Sequence, residues 1–412
     1  MDTRQQRALE IAATARITKK GDTWVVPSQS LNGRYTVTVD EAGYHCSCPD
    51  HELRRVKCKH AFAVELALKR ETAPDGALTE ARAVRATYAQ DWGAYNAAQT
   101  TEKEHFCRLL RDLCAGIPDS SPSRGRPRLP LSDMLFAAAF KVYSTVSARR
   151  FMTDLRAACA DGYLQGTPHY NSIFNYLESE TLTPIIRKLI TASSLPLSAV
   201  ETSFAIDSTG FGMSKFFRYY NARYKHEQIG RDWLKLHAIV GVKTNIVTSV
   251  EVTGRDSHDS PQFAPLVQAT AQHFQISEVS ADKAYTSRDS LTLVESLGGM
   301  PYIPFKVWAR GDTNHALWNK LFHFFSLHRE EFLAHYHKRS NVESAFSAIK
   351  RVFGDAVRSR TPVAQVNEVL LKVVCHNLRC LIHEAHELEI TPMLERFVCP
   401  KSPTVAQQLP AM

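Results

Sequence analysis

Residues 203–211, SFAIDSTGF, open with mostly apolar residues and break at Asp207 into Ser-Thr-Gly, so they read as a short strand ending in a turn. Outward from it the pattern repeats. LKLHAIVGV (234–242) and IVTSVEVTG (246–254) predict two further strands around the turn Lys243-Thr244-Asn245, and SPQFAPLVQATAQHF (260–274) has a helix-start signal followed by helical spacing. ISEVSADKAY (276–285) predicts another strand, SRDSLTLVESLG (287–298) a helix and MPYIPF (300–305) a strand, with mostly helical spacing from there to about Leu388. Three strands, helix, strand, helix, strand is the order of an α/β domain with a mixed sheet.

The 412 residues, 44% of them hydrophobic, allow two or three domains and at least one substantial core. The formal net charge of +8 favours a polyanionic partner without separating DNA from RNA or an acidic membrane surface. No apolar run approaches the roughly 20 residues that cross a bilayer, and the start MDTRQQRALE lacks the apolar core of a signal peptide; the expectation is a soluble cytoplasmic protein with no membrane partner. Composition divides the chain into a small strand-bearing module at 1–75, a charged helical segment at 76–130 that closes in the linker GIPDSSPSRGRPRLP, a helical domain at 131–200, the α/β domain at 201–388 and a tail at 389–412. No internal repeat is visible.

Three acids stand where an α/β sheet can gather them. Asp207 follows the first strand, Asp282 ends the strand ISEVSA, and Glu343 lies on a predicted helix far downstream. Such clusters suit phosphodiester chemistry, because two divalent ions about 3.5–4 Å apart activate the attacking oxygen and stabilise the leaving one. Taken singly, Asp207 opens an ordinary turn and Asp282 has Lys283 to pair with. The helix is more telling. Tyr336, Arg339, Glu343 and Lys350 are spaced by three, four and seven residues, which places them within an arc of roughly 60°. A surface pair between Arg339 and Glu343 would be worth a few tenths of a kcal/mol, roughly, and does not explain the coincidence with two strand-end aspartates.

The order Asp207, Asp282, Glu343 and the pattern Y-x2-R-x3-E-x6-K resemble the DDE transposases of bacterial insertion sequences, as do FAIDSTGF, SADKAY and RSNVESAFSAIKR around the three acids. The likeness covers about 125–385. It implies a ribonuclease-H-like core in which Asp207, Asp282 and Glu343 ligate two Mg²⁺ (or Mn²⁺) ions. Arg339 and Lys350 would contact phosphates of the transposon end, and Tyr336 would position the same strand. It also implies strand cleavage at inverted terminal repeats, strand transfer into target DNA, a homodimer on double-stranded DNA and a nucleoid-associated place in a bacterial cytoplasm. Alternatives are a transposase-derived DNA-binding protein that no longer cuts, and a ribonuclease-H-like nuclease without strand transfer. Only 60 residues separate Asp282 from Glu343, where many relatives insert a long β-rich region; Trp308 and Trp318 fall in that stretch, open to ordinary packing or to stacking on an unpaired base. Asp259 is expected to cap the helix that follows it, and His237 to be packed within its strand.

The nine cysteines are an odd number, which fits reduced thiols with one metal site better than a disulfide scaffold. Cys46, Cys48, Cys58 and His60 form C-x-C-x9-C-x-H, the four soft or borderline donors of a closed tetrahedral zinc site. His51 is a possible substitute ligand. The pattern resembles the SWIM zinc finger over roughly 35–68, which implies DNA or protein interaction rather than catalysis. RGRPR (124–128) resembles the core of an AT-hook, with Arg124, Arg126 and Arg128 laid into a minor groove, or is a solvated basic linker. The helices from Leu131 to Ile190, with Arg149 and Arg150, hold either a helix-turn-helix or a plain supporting bundle.

Overall fold

The computed structural model describes residues 17–20, 23–28, 33–40, 43–54, 56–71, 92–118, 129–213, 233–388 and a few isolated positions near either terminus. The RGRPR segment and most of 389–412 lie outside the described residues. The chain forms two units, 1–87 and 88–412.

The first unit is an antiparallel sheet of β1 (Thr18–Lys20), β2 (Thr23–Pro27), β3 (Arg34–Asp40) and β4 (Gly43–Cys46) in sequential order. It is followed by helices α1 (Pro49–Arg54) and α2 (Lys59–Glu71). Alternation along β2 turns Trp24 and Val26 inward, onto Val37, Ala61 and Val64. That core is small, and three of its members are the cysteines 46, 48 and 58. Modules of this size ordinarily need a covalent or metal staple.

The second unit begins with α3 (Trp92–Thr100), α4 (Glu102–Ala115), α5 (Leu131–Ser144), α6 (Ala148–Ala160), α7 (Tyr170–Leu177) and α8 (Leu182–Ser194). The sheet follows: β5 (Ser203–Gly212), β6 (Trp233–Gly241), β7 (Val247–Gly254), β8 (Glu278–Ala281) and β9 (Met300–Tyr302). Its order is β7-β6-β5-β8-β9, with β5, β6 and β7 antiparallel and β5, β8 and β9 parallel. Two hairpins and two helical crossovers, α9 (Ser260–Ala271) and α10 (Arg288–Ser296), produce this 3-2-1-4-5 mixed sheet, the ribonuclease-H-like arrangement. β5 does not end at Asp207 as its Ser-Thr-Gly composition suggests. It runs on through Gly212, because all nine residues from Phe204 to Gly212 pair with β6.

The β6–β7 turn is held from outside. The buried Glu201 carboxylate accepts the Lys243 and Thr244 amides at 3.0 Å and the Thr244 hydroxyl at 3.1 Å, while Asn245 takes the positive φ of 58° that asparagine tolerates.

The two faces of the sheet carry different cores. Phe204, Ile206, Ile239, Val279 and Ala281 pack under α9 and α10. Ala205, Phe211, Leu236, Ala238 and Val240 pack on the other face, in the larger core that holds α13 (Ser340–Phe353) and α14 (Pro362–Glu387). Two further helices, α11 (Ala316–Leu327) and α12 (Arg329–Tyr336), precede these. α14 is buried along most of its 26 residues and joins α3–α8 to the sheet. Its buried Asn377 is satisfied by the elements around it, accepting the Val247 amide and donating to the Ile190 and Val247 carbonyls and to Ser193.

Candidate active site and zinc centre

Strand pairing brings the two aspartates level. β5 and β8 are parallel with Ile206 opposite Ala281, so the next residues, Asp207 and Asp282, emerge side by side, one strand spacing apart and on the same face. That face is the one α13 covers. Asp207 accepts the Ser208 amide on Oδ1 at 2.8 Å and Arg339 Nη1 on Oδ2 at 2.5 Å. Burial pushes its pKa up, and the Asp282 and Glu343 charges add to this against the Ser208 amide and the Arg339 guanidinium. Asp282 accepts the backbone amide of Lys283 at 2.7 Å and caps the 3-10 turn 283–285, so its contact with Lys283 is to the main chain rather than the ammonium.

Glu343 sits in the first turn of α13 with its side chain 59% exposed, and its Oε1 accepts Arg339 Nη2 at 2.7 Å. One guanidinium thus holds Asp207 with one arm and Glu343 with the other. Lys350 reaches back to β5, donating to Thr209 Oγ1 at 2.6 Å, two residues along the same face from Asp207. Tyr336 lies with its ring 6.0 Å from the Arg339 guanidinium; burial raises its pKa, as do the nearby charges of Asp282 and Asp207. The four signature residues do not share one continuous helix, as their spacing predicts. α12 ends at Tyr336, a 3-10 turn spans 337–339, and α13 starts at Ser340. The backbone stays right-handed throughout, and Arg339 and Lys350 both reach β5, with Glu343 and Tyr336 set against Arg339.

The donors of the three acids are all oxygen, as hard divalent cations require. Among the described residues, the groups of three or more potential ligands within 4.8 Å of one another are Cys46, Cys48, Cys58 and His60, and His383, Glu384 and Glu387; the three acids stand wider than that, with Arg339 between two of them.

Several side chains depart from the sequence reading. Asp259 occupies the cap position of α9 but makes no side-chain cap bond; it pairs with Lys235 Nζ at 2.7 Å and lies 3.2 Å from Nδ1 of the fully buried His237. Those partners are 22 and 24 residues away, beyond any local capping signal. His237 is packed, as expected, with Nε2 at 2.8 Å from Thr253 Oγ1. Trp318 is committed to packing: its indole N–H donates to the Arg310 carbonyl at 2.8 Å and its ring meets Phe305 edge-on at 4.8 Å. Trp308 is 74% exposed, with Lys306 Nζ 5.5 Å from its ring.

In the first unit, Cys46 ends β4, Cys48 leads into α1, and Cys58 and His60 flank the start of α2. All four are buried with their donor atoms mutually within 4.8 Å. His60 Nδ1 lies 3.8 Å from the Cys46 sulfur and 3.9 Å from the Cys58 sulfur. Bond lengths of about 2.3 Å for Zn–S and 2.0–2.1 Å for Zn–N give a tetrahedral edge of roughly 3.6 Å, so the cluster is close to zinc-ready. Cys58 is drawn down, chiefly by the Cys46 thiol donating to it, and Cys46 is pushed up for the same reason. Buried thiols crowded this way share little negative charge without a cation. His51 is not a fourth donor: its Nδ1 is 2.9 Å from the Val56 carbonyl, closing the α1–α2 loop.

Comparison with known proteins finds two family matches along the chain. The transposase DDE domain family matches residues 199–378, and the SWIM zinc finger matches residues 35–69. A probable transposase for insertion sequence element ISA1214 from Archaeoglobus fulgidus is 27% identical over 161 residues, which is 39% of this chain and 48% of that protein, so the match spans about half of the relative's length. Among solved structures, a piggyBac transposase synaptic complex with hairpin DNA aligns over 72% of this chain and 75% of its own at 9% identity and a TM-score of 0.35, a level that carries no argument. No described helix is long and apolar enough to cross a membrane. With Asp207, Asp282 and Glu343 all inside the matched region, the chain carries a transposase DDE domain behind a SWIM zinc finger.

Proposed function

We propose that this protein is a DNA transposase that cleaves strands at inverted terminal repeats and joins the freed 3′ ends to target DNA, with Asp207, Asp282 and Glu343 as metal ligands. The observation that carries this is the convergence on β5: two aspartates level on adjacent parallel strands, and a glutamate tied to one of them through Arg339. Two Mg²⁺ or Mn²⁺ ions held by these acids would supply an activated attacking oxygen and charge stabilisation for the leaving one.

The chain's own residues do the rest. Arg339, between Asp207 and Glu343, and Lys350, on Thr209 of the same strand, present cations beside the acids, suited to phosphate oxygens once DNA arrives. The Tyr336 phenol stays protonated, since burial and neighbouring carboxylates both oppose its ionisation, and so is a hydrogen-bond donor to the same strand. Zinc in the SWIM finger is structural, because four protein ligands leave no open position. In the second unit, α5 and α6 are joined by three residues and α6 opens with the exposed pair Arg149 and Arg150, which supports a helix-turn-helix for the terminal repeat. Cutting two ends together supports a homodimer on double-stranded DNA.

The test is Mg²⁺- or Mn²⁺-dependent nicking of DNA carrying the sequences that flank the gene on either side. Asp207→Asn and Glu343→Gln should each abolish nicking and leave gel-shift binding. Nicking retained by either variant would refute the assignment, and binding without any nicking by the unsubstituted chain would favour a DNA-binding protein that no longer cuts.

A further inference from the structure

Glu278 opens β8, a strand whose four residues are all buried, and an acid there needs compensation. It receives two basic partners from one short segment: His335 Nδ1 lies 2.6 Å from Oε2, and Lys338 Nζ donates to Oε1. Ser203, its register partner on β5, also favours the charged carboxylate. Burial pushes the Glu278 pKa up, and these bonds outweigh it, so the carboxylate is held below its ordinary range. The His335 ring is also stacked flat on Tyr302, with centroids 4.3 Å apart and planes 5° from parallel.

His335 and Lys338 interleave with Tyr336 and Arg339, one residue out of step in the same helical turn. Successive residues of such a turn point about 100–120° apart, so anchoring one pair to β8 fixes the direction of the other. We propose that Glu278 is a positioning residue for strand cleavage, setting the rotation of the turn that aims Tyr336 and Arg339 at Asp207. The inference rests on the transposase reading of the same site.

The experiment is single-turnover, Mn²⁺-dependent nicking of supercoiled plasmid by the full chain, with Glu278→Gln measured alone and in an Arg339→Met background. Glu278→Gln should slow nicking about tenfold, as sub-ångström misplacement of a catalytic group does, with the half-saturating plasmid concentration changed less than about threefold. In the Arg339→Met background the same substitution should cost less than about twofold, since only the aim of Tyr336 is then left to set. An equal loss in both backgrounds, or a loss confined to plasmid affinity, overturns the proposal. If Glu278→Gln fails to fold, Lys338→Met, which leaves the acid paired with His335, takes its place in the cycle with an expected loss of about threefold. Plasmid left intact by the unsubstituted protein removes the nuclease reading and this inference together, whereas nicking indifferent to Glu278→Gln removes the inference alone.

Discussion

Replacing Arg339 by methionine keeps the apolar stem and deletes the guanidinium that ties Asp207 to Glu343. The bond to Asp207, 2.5 Å long between side chains only 21% and 22% exposed, falls in the range of about 1.5–3 kcal/mol for hydrogen bonds to charged groups. The bond to Glu343, whose side chain is 59% exposed, is worth about 0–1 kcal/mol after solvent screening. Recovered desolvation of the arginine offsets part of this, so a net loss of about 2 kcal/mol at pH 7 is expected. The loss must depend on pH. Asp207 already has a raised pKa in the folded chain, and without Arg339 it rises further. An acid whose folded pKa exceeds its unfolded value makes the folded state bind more protons between the two, so stability falls as pH rises through that window. The deficit of Arg339→Met is therefore full at neutral pH and shrinks as pH falls toward the unfolded carboxylate value of about 3.9. Urea unfolding in the presence of a chelator, at pH 7.5 and at about pH 4, near the unfolded carboxylate value, reads both quantities. An unchanged midpoint at pH 7.5, or a deficit as large near pH 4, would show that Arg339 does not hold Asp207.

Four further outcomes follow from the same geometry. Cys58→Ser should lower bound zinc from one per chain to none by atomic absorption, and cost the module at 35–69 its thermal transition while the larger unit's transition stays. Gly241→Ala would drive a methyl group into the Glu201 side chain, which three hydrogen bonds pin to the β6–β7 turn, so a loss of about 1–3 kcal/mol is expected in urea titrations. His376 is buried with Nε2 at 2.9 Å from the Asn245 carbonyl and is drawn down to about 4 by burial; the unfolded chain takes that proton first, so stability should fall as pH drops from about 6.5 to about 4, and His376→Gln should flatten that limb. Arg149→Ala with Arg150→Ala should weaken DNA binding uniformly across sequences and reduce the salt slope by about two, as read by fluorescence anisotropy at several salt concentrations.

Much of the fold was legible because it is written in local patterns. The apolar runs around Ile206, Ile239 and Val250, with the Lys243-Thr244-Asn245 turn between the last two, predict β5, β6 and β7 without reference to anything distant. The pairing of β5 with β8 is different: Asp207 and Asp282 stand level only because a crossover through α9 returns the chain parallel, and no spacing in the sequence encodes that register. Signals that depend on distant partners misled in both directions. Ser-Thr-Gly after Asp207 reads as a turn until β6 supplies the pairing that keeps β5 extended. Asp259 reads as a cap until Lys235 and His237 claim its carboxylate. The helix through Tyr336 and Lys350 is interrupted at 337–339, where His335 and Lys338 are drawn onto Glu278; an acid inside the apolar strand ISEVSA was the visible trace of that contact. The zinc cluster needed no distant information beyond its own spacing, since all four donors fall within fifteen residues.

Everything catalytic in this reading depends on Asp207, Asp282 and Glu343 sharing a pair of divalent ions on DNA. Anomalous diffraction from crystals grown with Mn²⁺ and a terminal-repeat duplex addresses it without intermediate steps. Two manganese peaks about 3.5–4 Å apart are expected among the three carboxylates, with Arg339 withdrawn from Asp207 onto a phosphate. Crystals with DNA bound, no manganese between these residues and Arg339 still bridging Asp207 and Glu343 would contradict it.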